Sequence, residues 1–223
     1  MLISAQSLME IYGEEQTRIL DCRYVLSDPT AGIGSYRQGH IPGSIYLDLS
    51  ENLSSPIRAG TGRHPLPAAD SFAEAIGKWG VADDSTVIAY DDGPGAMAAR
   101  CWWLLRWFGH QSVYVLDGGL DAWVEQGGPL FDEVGAYPPA QFTGRPQQNH
   151  WIDADTLMRA IDDPDQLIID ARENKRFLCI HRFFGIPFVP AGRAPKGPIL
   201  LLCRPAARQK GHVLLQMFYS KCT

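Results

Sequence analysis

Apolar positions in this chain fall into short unbroken runs that alternate with longer runs of helical period. The clearest is Val87-Ile88-Ala89-Tyr90, which stops at Asp91-Asp92-Gly93-Pro94-Gly95 and gives way at once to a helical pattern from Ala96 to Phe108. That order predicts a strand buried on both faces, a tight turn, and a helix whose N-terminus points back over the strand end. Further strands are predicted at Arg18–Arg23, at Ser44–Leu47 and at Ser112–Leu116. Helices are predicted from a Ser4 cap through Tyr12, from Ser71 to Trp79, and from Leu120 to Gln126. Residues 24–39 and 51–69 are expected as loops. Strands that alternate with helices in this way call for a parallel sheet covered on both faces.

Residues 131–150 hold Pro138, Pro139 and Pro146 among glycines and few aliphatics, and are expected as a linker. A second copy of the pattern then begins, with a helix from Trp151 to Ile161. Gln166–Arg172, with Asp170-Ala171-Arg172, repeats Asp21-Cys22-Arg23, and Pro198–Arg208 repeats the strand, loop and helix around Asp91. Two echoes in the same order predict an internal duplication: a first domain over 1–130 and a partial second one over 151–223.

Composition narrows the function classes only by exclusion. The 223 residues are 45% hydrophobic and 20% charged with a net charge of −5, which offers nothing to nucleic acid or to an anionic membrane. The N-terminus has no basic run before Glu10, Glu14 and Glu15, so no signal peptide is expected, and a cytoplasmic location is the default. Cys22, Cys101, Cys179, Cys203 and Cys222 form no CxxC pair and the six histidines no ligand spacing, so no metal site is expected. Cys22 and Cys101 lie in apolar contexts and read as core thiols. His40 reads as a brace for its turn, and the Trp102, Trp103 and Trp107 group as core.

Charge along the chain is uneven. Residues 177–223 contain no Asp or Glu against seven Lys and Arg. At the acidic frequency of the preceding residues, such a gap arises by chance on the order of once in a thousand. A frame-shifted or otherwise altered sequence from about residue 177 is the reading this composition favours.

The motifs Asp21-Cys22-Arg23, Gly39-His40-Ile41-Pro42-Gly43, Tyr90-Asp91-Asp92-Gly93, Arg100-Cys101-Trp102-Trp103, Asp117-Gly118-Gly119-Leu120 and Asp170-Ala171-Arg172 with Arg176-Phe177 together resemble the rhodanese-like sulfurtransferases of the tandem-domain thiosulfate or 3-mercaptopyruvate type. The resemblance implies a duplicated α/β fold whose first domain is catalytically silent, with Asp91 where an active domain carries cysteine. It implies that a cysteine of the second copy takes a sulfane sulfur as a persulfide and hands it to a thiophilic acceptor such as cyanide or a thiol. No cofactor is needed, because sulfur is itself the carried group. Cys203 is the cysteine placed for this role, at a predicted strand end where loop N–H groups and a helix N-terminus lower a thiol pKa. Arg204 and Arg208 add positive charge, and Arg176 falls where the family has an arginine that reaches the substrate anion.

The second copy departs from this pattern. Asp21 and Asp91 are 70 positions apart, but Asp170 and Cys203 only 33, and Gly185-Ile186-Pro187 is all that answers the first copy's Gly-His-Ile-Pro-Gly. An incomplete second sheet predicts self-association through open strand edges. The alternative function is a catalytically inactive rhodanese-like binding or regulatory module, or a truncated product. A phosphatase of the Cys-x5-Arg kind is disfavoured, because the sixth residue after Cys203 is Gln209 and Arg208 is the fifth.

Overall fold

A computed structural model describes residues 1–160, apart from 60, 94 and 149, together with residue 163. The chain divides into two units, Met1–Gln147 and Gln148–Thr223. In the second, the described element is the helix α6, Ala154–Ala160. The expected repeats around Asp170 and Pro198–Arg208, and the tail from 177, lie outside the described residues.

The first unit is built on one five-stranded parallel sheet. Its strands are β1 (Leu2–Ile3), β2 (Thr17–Asp21), β3 (Ile45–Tyr46), β4 (Thr86–Tyr90) and β5 (Val113–Leu116), in the order β1-β5-β4-β2-β3. The intervening helices are α1 (Ala5–Ile11), α2 (Ala31–Gln38), α3 (Ala69–Lys78), α4 (Ala96–Trp107) and α5 (Gly119–Glu125). Alternation along each strand sorts the apolar residues into two cores. Leu20, Val87 and Ala89 pack with Phe72, Ile76 and Leu104 of α3 and α4. Ile19, Ile88 and Tyr90 pack on the other face with Leu8 of α1 and Trp123 of α5. The continuous apolar run of β4 is explained by this double burial, since Val87 through Tyr90 are all fully buried. Among the described residues no helix is long and apolar enough to cross a membrane.

The predicted Val87–Tyr90 strand lies within β4, Thr86–Tyr90, and α1 begins where expected, with Ser4 Oγ accepting from Ser7 N–H at 3.1 Å. Two elements differ from expectation. Residues 24–39 contain α2, which its Ala-Gly-Ile-Gly start hides from propensity. Tertiary packing imposes it: a Cβ on Gly32 would lie 2.3 Å from Arg23 O and 2.4 Å from the Tyr46 hydroxyl. Tyr36 then buries its ring and donates to Ser44 O at 2.7 Å. The other is β1, two residues that exist through their pairing with β5.

The segment expected as a linker lies, as far as Gln147, against the first unit. Phe131 exchanges both backbone hydrogen bonds with His40 at 2.9 Å, Ala140 N–H donates to Gly77 O, and Gln147 N–H donates to Trp107 O. Tyr137 is its anchor. Its hydroxyl donates to Gly43 O at 2.8 Å, and the Arg18 guanidinium carbon stands 4.1 Å from its ring centroid. A Cβ on Gly80, at φ +73, would fall 2.4 Å from Tyr137 Cβ, so the strap needs glycine there. Tyr137→Phe keeps the cation–π contact and orphans the Gly43 carbonyl, an expected cost of about 1 kcal/mol in urea denaturation. An unchanged midpoint would refute the anchoring role.

Farther along, Thr143 donates to Asp83 twice, N–H to Oδ1 at 2.8 Å and Oγ1 to Oδ2 at 2.6 Å. These bonds hold the Asp83 carboxyl below its ordinary range. A group depressed in the folded state contributes stability that is present above its unfolded pKa and is lost as pH falls through the folded one. The stability gap between wild type and Asp83→Asn should therefore narrow on acidification from pH 7 to below the carboxylate range. For so exposed a pair the gap itself is under about 1 kcal/mol. A gap independent of pH contradicts this assignment.

Candidate functional site

All strands of a parallel sheet end on one side, and the β4–α4 turn lies at that carboxyl edge. Asp91, the first residue of the turn, is 3% exposed. Its Oδ1 accepts from Gly93 N–H at 3.0 Å and Gly95 N–H at 2.9 Å; its Oδ2 accepts from Met97 N–H at 3.0 Å and Ala98 N–H at 3.3 Å. Two donors come from the turn and two from the first turn of α4, whose dipole adds to the attraction. Gly93 and Gly95, at φ +124 and +75, give the turn the left-handed backbone that aims its amides inward. The Asp117-Gly118-Gly119 turn after β5 closes the ring from outside. Leu120 N–H donates to Asp91 O at 2.9 Å. A Cβ on Gly119 would stand 2.4 Å from that oxygen.

Asp91 thus caps α4 with both oxygens. A carboxylate whose lone pairs are taken by four N–H groups is a poor nucleophile. Asp92 points elsewhere. It is partly exposed and its Oδ1 lies 3.9 Å from Arg23 Nε. Burial raises the Asp92 carboxyl above the usual range and Arg23 opposes that rise, while the carboxylates of Asp21, Asp91 and Asp121 reinforce it.

Beneath this edge lies a buried polar network built from the Asp21-Cys22-Arg23 motif. Asp21 is fully buried, and Arg23 Nη2 donates to its Oδ2 at 2.7 Å while Nε donates at 2.9 Å. Arg23 Nη2 also donates to Gly39 O at 2.8 Å. The Tyr90 hydroxyl donates to Asp21 Oδ2 at 2.6 Å and sits 3.2 Å from Ser44 Oγ. Burial and the Asp21 charge push the Tyr90 phenol well up, so it remains a donor. His40 braces the Gly-His-Ile-Pro-Gly turn as expected, with Nδ1 2.7 Å from Tyr36 O and Nε2 2.9 Å from Glu133 O. Arg100 works at a distance, its guanidinium donating to Leu53 O at 2.8 Å, His64 O at 3.1 Å and Pro65 O at 3.2 Å, which pins the long loop 51–66. The ends of β2, β3 and β4 are thereby tied together by side chains as well as by backbone bonds, Cys22 N–H donating to Tyr90 O and Leu47 N–H to Asp21 O, each at 2.8 Å.

Sequence reasoning identified the motifs but missed this network and the Arg100 clamp. The available signal was the recurrence of Asp-x-Arg in Asp170-Ala171-Arg172, which marks a structural need at a strand end. Cys22 and Cys101 are buried as expected, and the Cys22 thiol donates to Leu20 O at 3.8 Å; the neighbouring Cys101 thiol, then burial, raises it well above its ordinary pKa. Neither thiol is reachable from solvent. The residues expected to carry chemistry, Cys203 with Arg176, Arg204 and Arg208, lie outside the described residues.

Comparison with known proteins agrees with this geometry. The family model of the rhodanese-like domain matches residues 4–126. Over 178 residues the chain is 45% identical to a probable 3-mercaptopyruvate sulfurtransferase of Pseudomonas aeruginosa, covering 79% of this chain and 63% of that protein. Over 181 residues it is 32% identical to the 3-mercaptopyruvate sulfurtransferase of Escherichia coli K12, covering 78% and 62%. Among solved structures it is similar to SseA of Escherichia coli, a rhodanese-fold 3-mercaptopyruvate sulfotransferase, with TM-score 0.71 and 30% identity over 79% of this chain and 67% of that one. The chain therefore spans less than two thirds of the length of the curated relatives it matches.

Proposed function

The chain belongs to the rhodanese-like domain family, and from that premise we propose that it descends from, and acts as, a sulfurtransferase that moves a sulfane sulfur from thiosulfate or 3-mercaptopyruvate to cyanide or a thiol. The observation that supports a division of labour between the two copies is the seating of Asp91. The first unit's loop holds a carboxylate on four backbone N–H groups, so the persulfide chemistry falls to the second copy and to Cys203. In that reading the Cys203 thiolate attacks the outer sulfur of thiosulfate, an S–S bond forms as the donor's S–S bond breaks, and sulfite leaves with the electron pair. Cyanide then takes the outer sulfur as thiocyanate and returns the thiolate. Arg176, Arg204 and Arg208 would hold the donor's negative charge. The domain limits proposed are 1–130 and 151–223.

Intact mass after incubation with each donor tests the proposal. One added sulfur atom, removed by cyanide or by a thiol, supports persulfide transfer and names the donor. No adduct with either donor leaves the alternative, a silent rhodanese-like binding or regulatory module.

A further inference from the structure

The end of the strap closes over a buried imidazole. Residues 140–147 pack on the corner where α4 gives way to β5. Ala140 N–H donates to Gly77 O at 2.9 Å and Gln147 N–H to Trp107 O at 2.8 Å. A Cβ on Gly144 would stand 2.4 Å from Phe108 O, and one on Gly109 would stand 2.9 Å from Gln147 Nε2. In this corner lies His110, 4% exposed, its ring centroid 6.0 Å from that of Phe142 in the strap. His110 Nε2 is 2.9 Å from Ser85 O, an acceptor, so Nε2 carries the proton of the neutral ring. Nδ1 is buried and makes no hydrogen bond among the described residues. A second proton has to go to that nitrogen, which places a charge inside the packed corner. Burial accordingly holds the ring below its ordinary pKa. The Ser85 carbonyl, the Asp83 carboxylate and the Ser112 carbonyl favour the cation, Arg106 opposes it, and burial outweighs them.

The walls around the ring differ in strength. Ser85 and Phe108 belong to the packed body of the unit, both fully or almost fully buried. The strap is held here by a few backbone bonds and by the exposed pair of Thr143 with Asp83. Local opening takes the segment with the fewest buried contacts. We propose that protonation of His110 releases residues 140–147 from the first unit, so that the strap's end is a latch held shut by a neutral imidazole. The open form exposes the ring, which then takes up a proton in the ordinary imidazole range, while the closed form does not. Closure is therefore fully favoured above that range and is lost progressively as pH falls below it. Asp83 loses its bonds to Thr143 only at the lower pH of a depressed carboxylate, so the two groups act in separate windows. The residues released lead directly into the second unit, which begins at Gln148.

Hydrogen–deuterium exchange of the full-length chain at about pH 7.5 and about pH 5.5, corrected for intrinsic exchange rates, tests the latch. Protection across 140–147 should fall several-fold between the two, with a ceiling of about tenfold set by an exposed imidazole of pKa about 6.5. At both pH values it should stay well below the protection of β4, because the strap opens without the sheet. His110→Gln keeps a donor for Ser85 O and cannot titrate in this window, so it should abolish the acid response; Asp83→Asn should retain it. In the wild type, the His110 ring followed by NMR should titrate below the ordinary imidazole range, a readout that needs no variant. Equal protection at both pH values overturns the proposal, as does an acid response that survives in His110→Gln or vanishes in Asp83→Asn. A strap as protected as β4 overturns it too, and so does a His110 ring that titrates within or above the ordinary range.

Discussion

Cys203→Ser is expected to abolish sulfur loading: no sulfur adduct with thiosulfate or 3-mercaptopyruvate, and transfer to cyanide down by at least about a thousandfold. The reason is specific to the step. The acceptor must be a thiolate, which is populated near neutral pH when its pKa is lowered and which forms a stable S–S bond with the incoming sulfur. A serine hydroxyl is protonated at any such pH, and an oxygen cannot hold the sulfane sulfur in a form a thiophile will remove. The other cysteines set the contrast. Cys22 and Cys101 are buried in the first unit's core, with the Cys22 thiol pushed well up, so neither can substitute. Cys179→Ser and Cys222→Ser, at positions no motif of the sequence supports as a nucleophile, should retain loading. An adduct that survives in Cys203→Ser and moves to another cysteine would overturn the assignment. Loading lost equally in all three variants would point instead to damage of the second unit as a whole.

How much of this was readable without coordinates depends on where the physical cause resides. Strand β4 was readable because double burial writes itself as four apolar residues in a row, and the turn after it because glycine and aspartate punctuate it. Helix α2 was not, since its formation depends on Tyr36 reaching Ser44 and on Gly32 lying against Arg23 O, contacts made by residues distant in sequence. The strap up to Gln147 was hidden for a related reason. Its hydrogen bonds run from its own backbone to the backbone at His40, Gly77 and Trp107, and backbone pairing leaves no side-chain period to read. At the site, the carboxylate at position 91 was visible as a residue, and its capping role could be anticipated from the helix that follows. Its four-point seating could not, because two of the donors depend on the left-handed backbone of Gly93 and Gly95.

The second large effect is expected at Asp21. Asp21→Ala should lower the stability of the first unit by about 3–5 kcal/mol, on the order of 10 °C in Tm, because it strands the Arg23 guanidinium in a site only 4% exposed. The loss comprises several bonds to one carboxylate: those from Arg23 Nε and Nη2, the one from Arg23 N–H at 3.0 Å, and the one from the Tyr90 hydroxyl at 2.6 Å. Removing only the last of these, by Tyr90→Phe, should cost about 1 kcal/mol, since Asp21 keeps its arginine. Asp21→Asn should fall between the two, retaining an acceptor for Tyr90 but not the charge that balances Arg23. The decisive comparison is the double variant Asp21→Ala with Arg23→Met, which removes the stranded cation along with its partner. If the burden is the unpaired charge, that variant is more stable than Asp21→Ala alone, although it lacks one more native side chain. If the ion pair instead serves only as filler, the two losses add, and the double variant is the least stable of the series. Urea denaturation of the four variants separates these outcomes. A recovery would identify Asp-x-Arg as a neutralised clamp across β2, the Gly39 carbonyl and β4, the role to be tested next at the repeated Asp170-Ala171-Arg172.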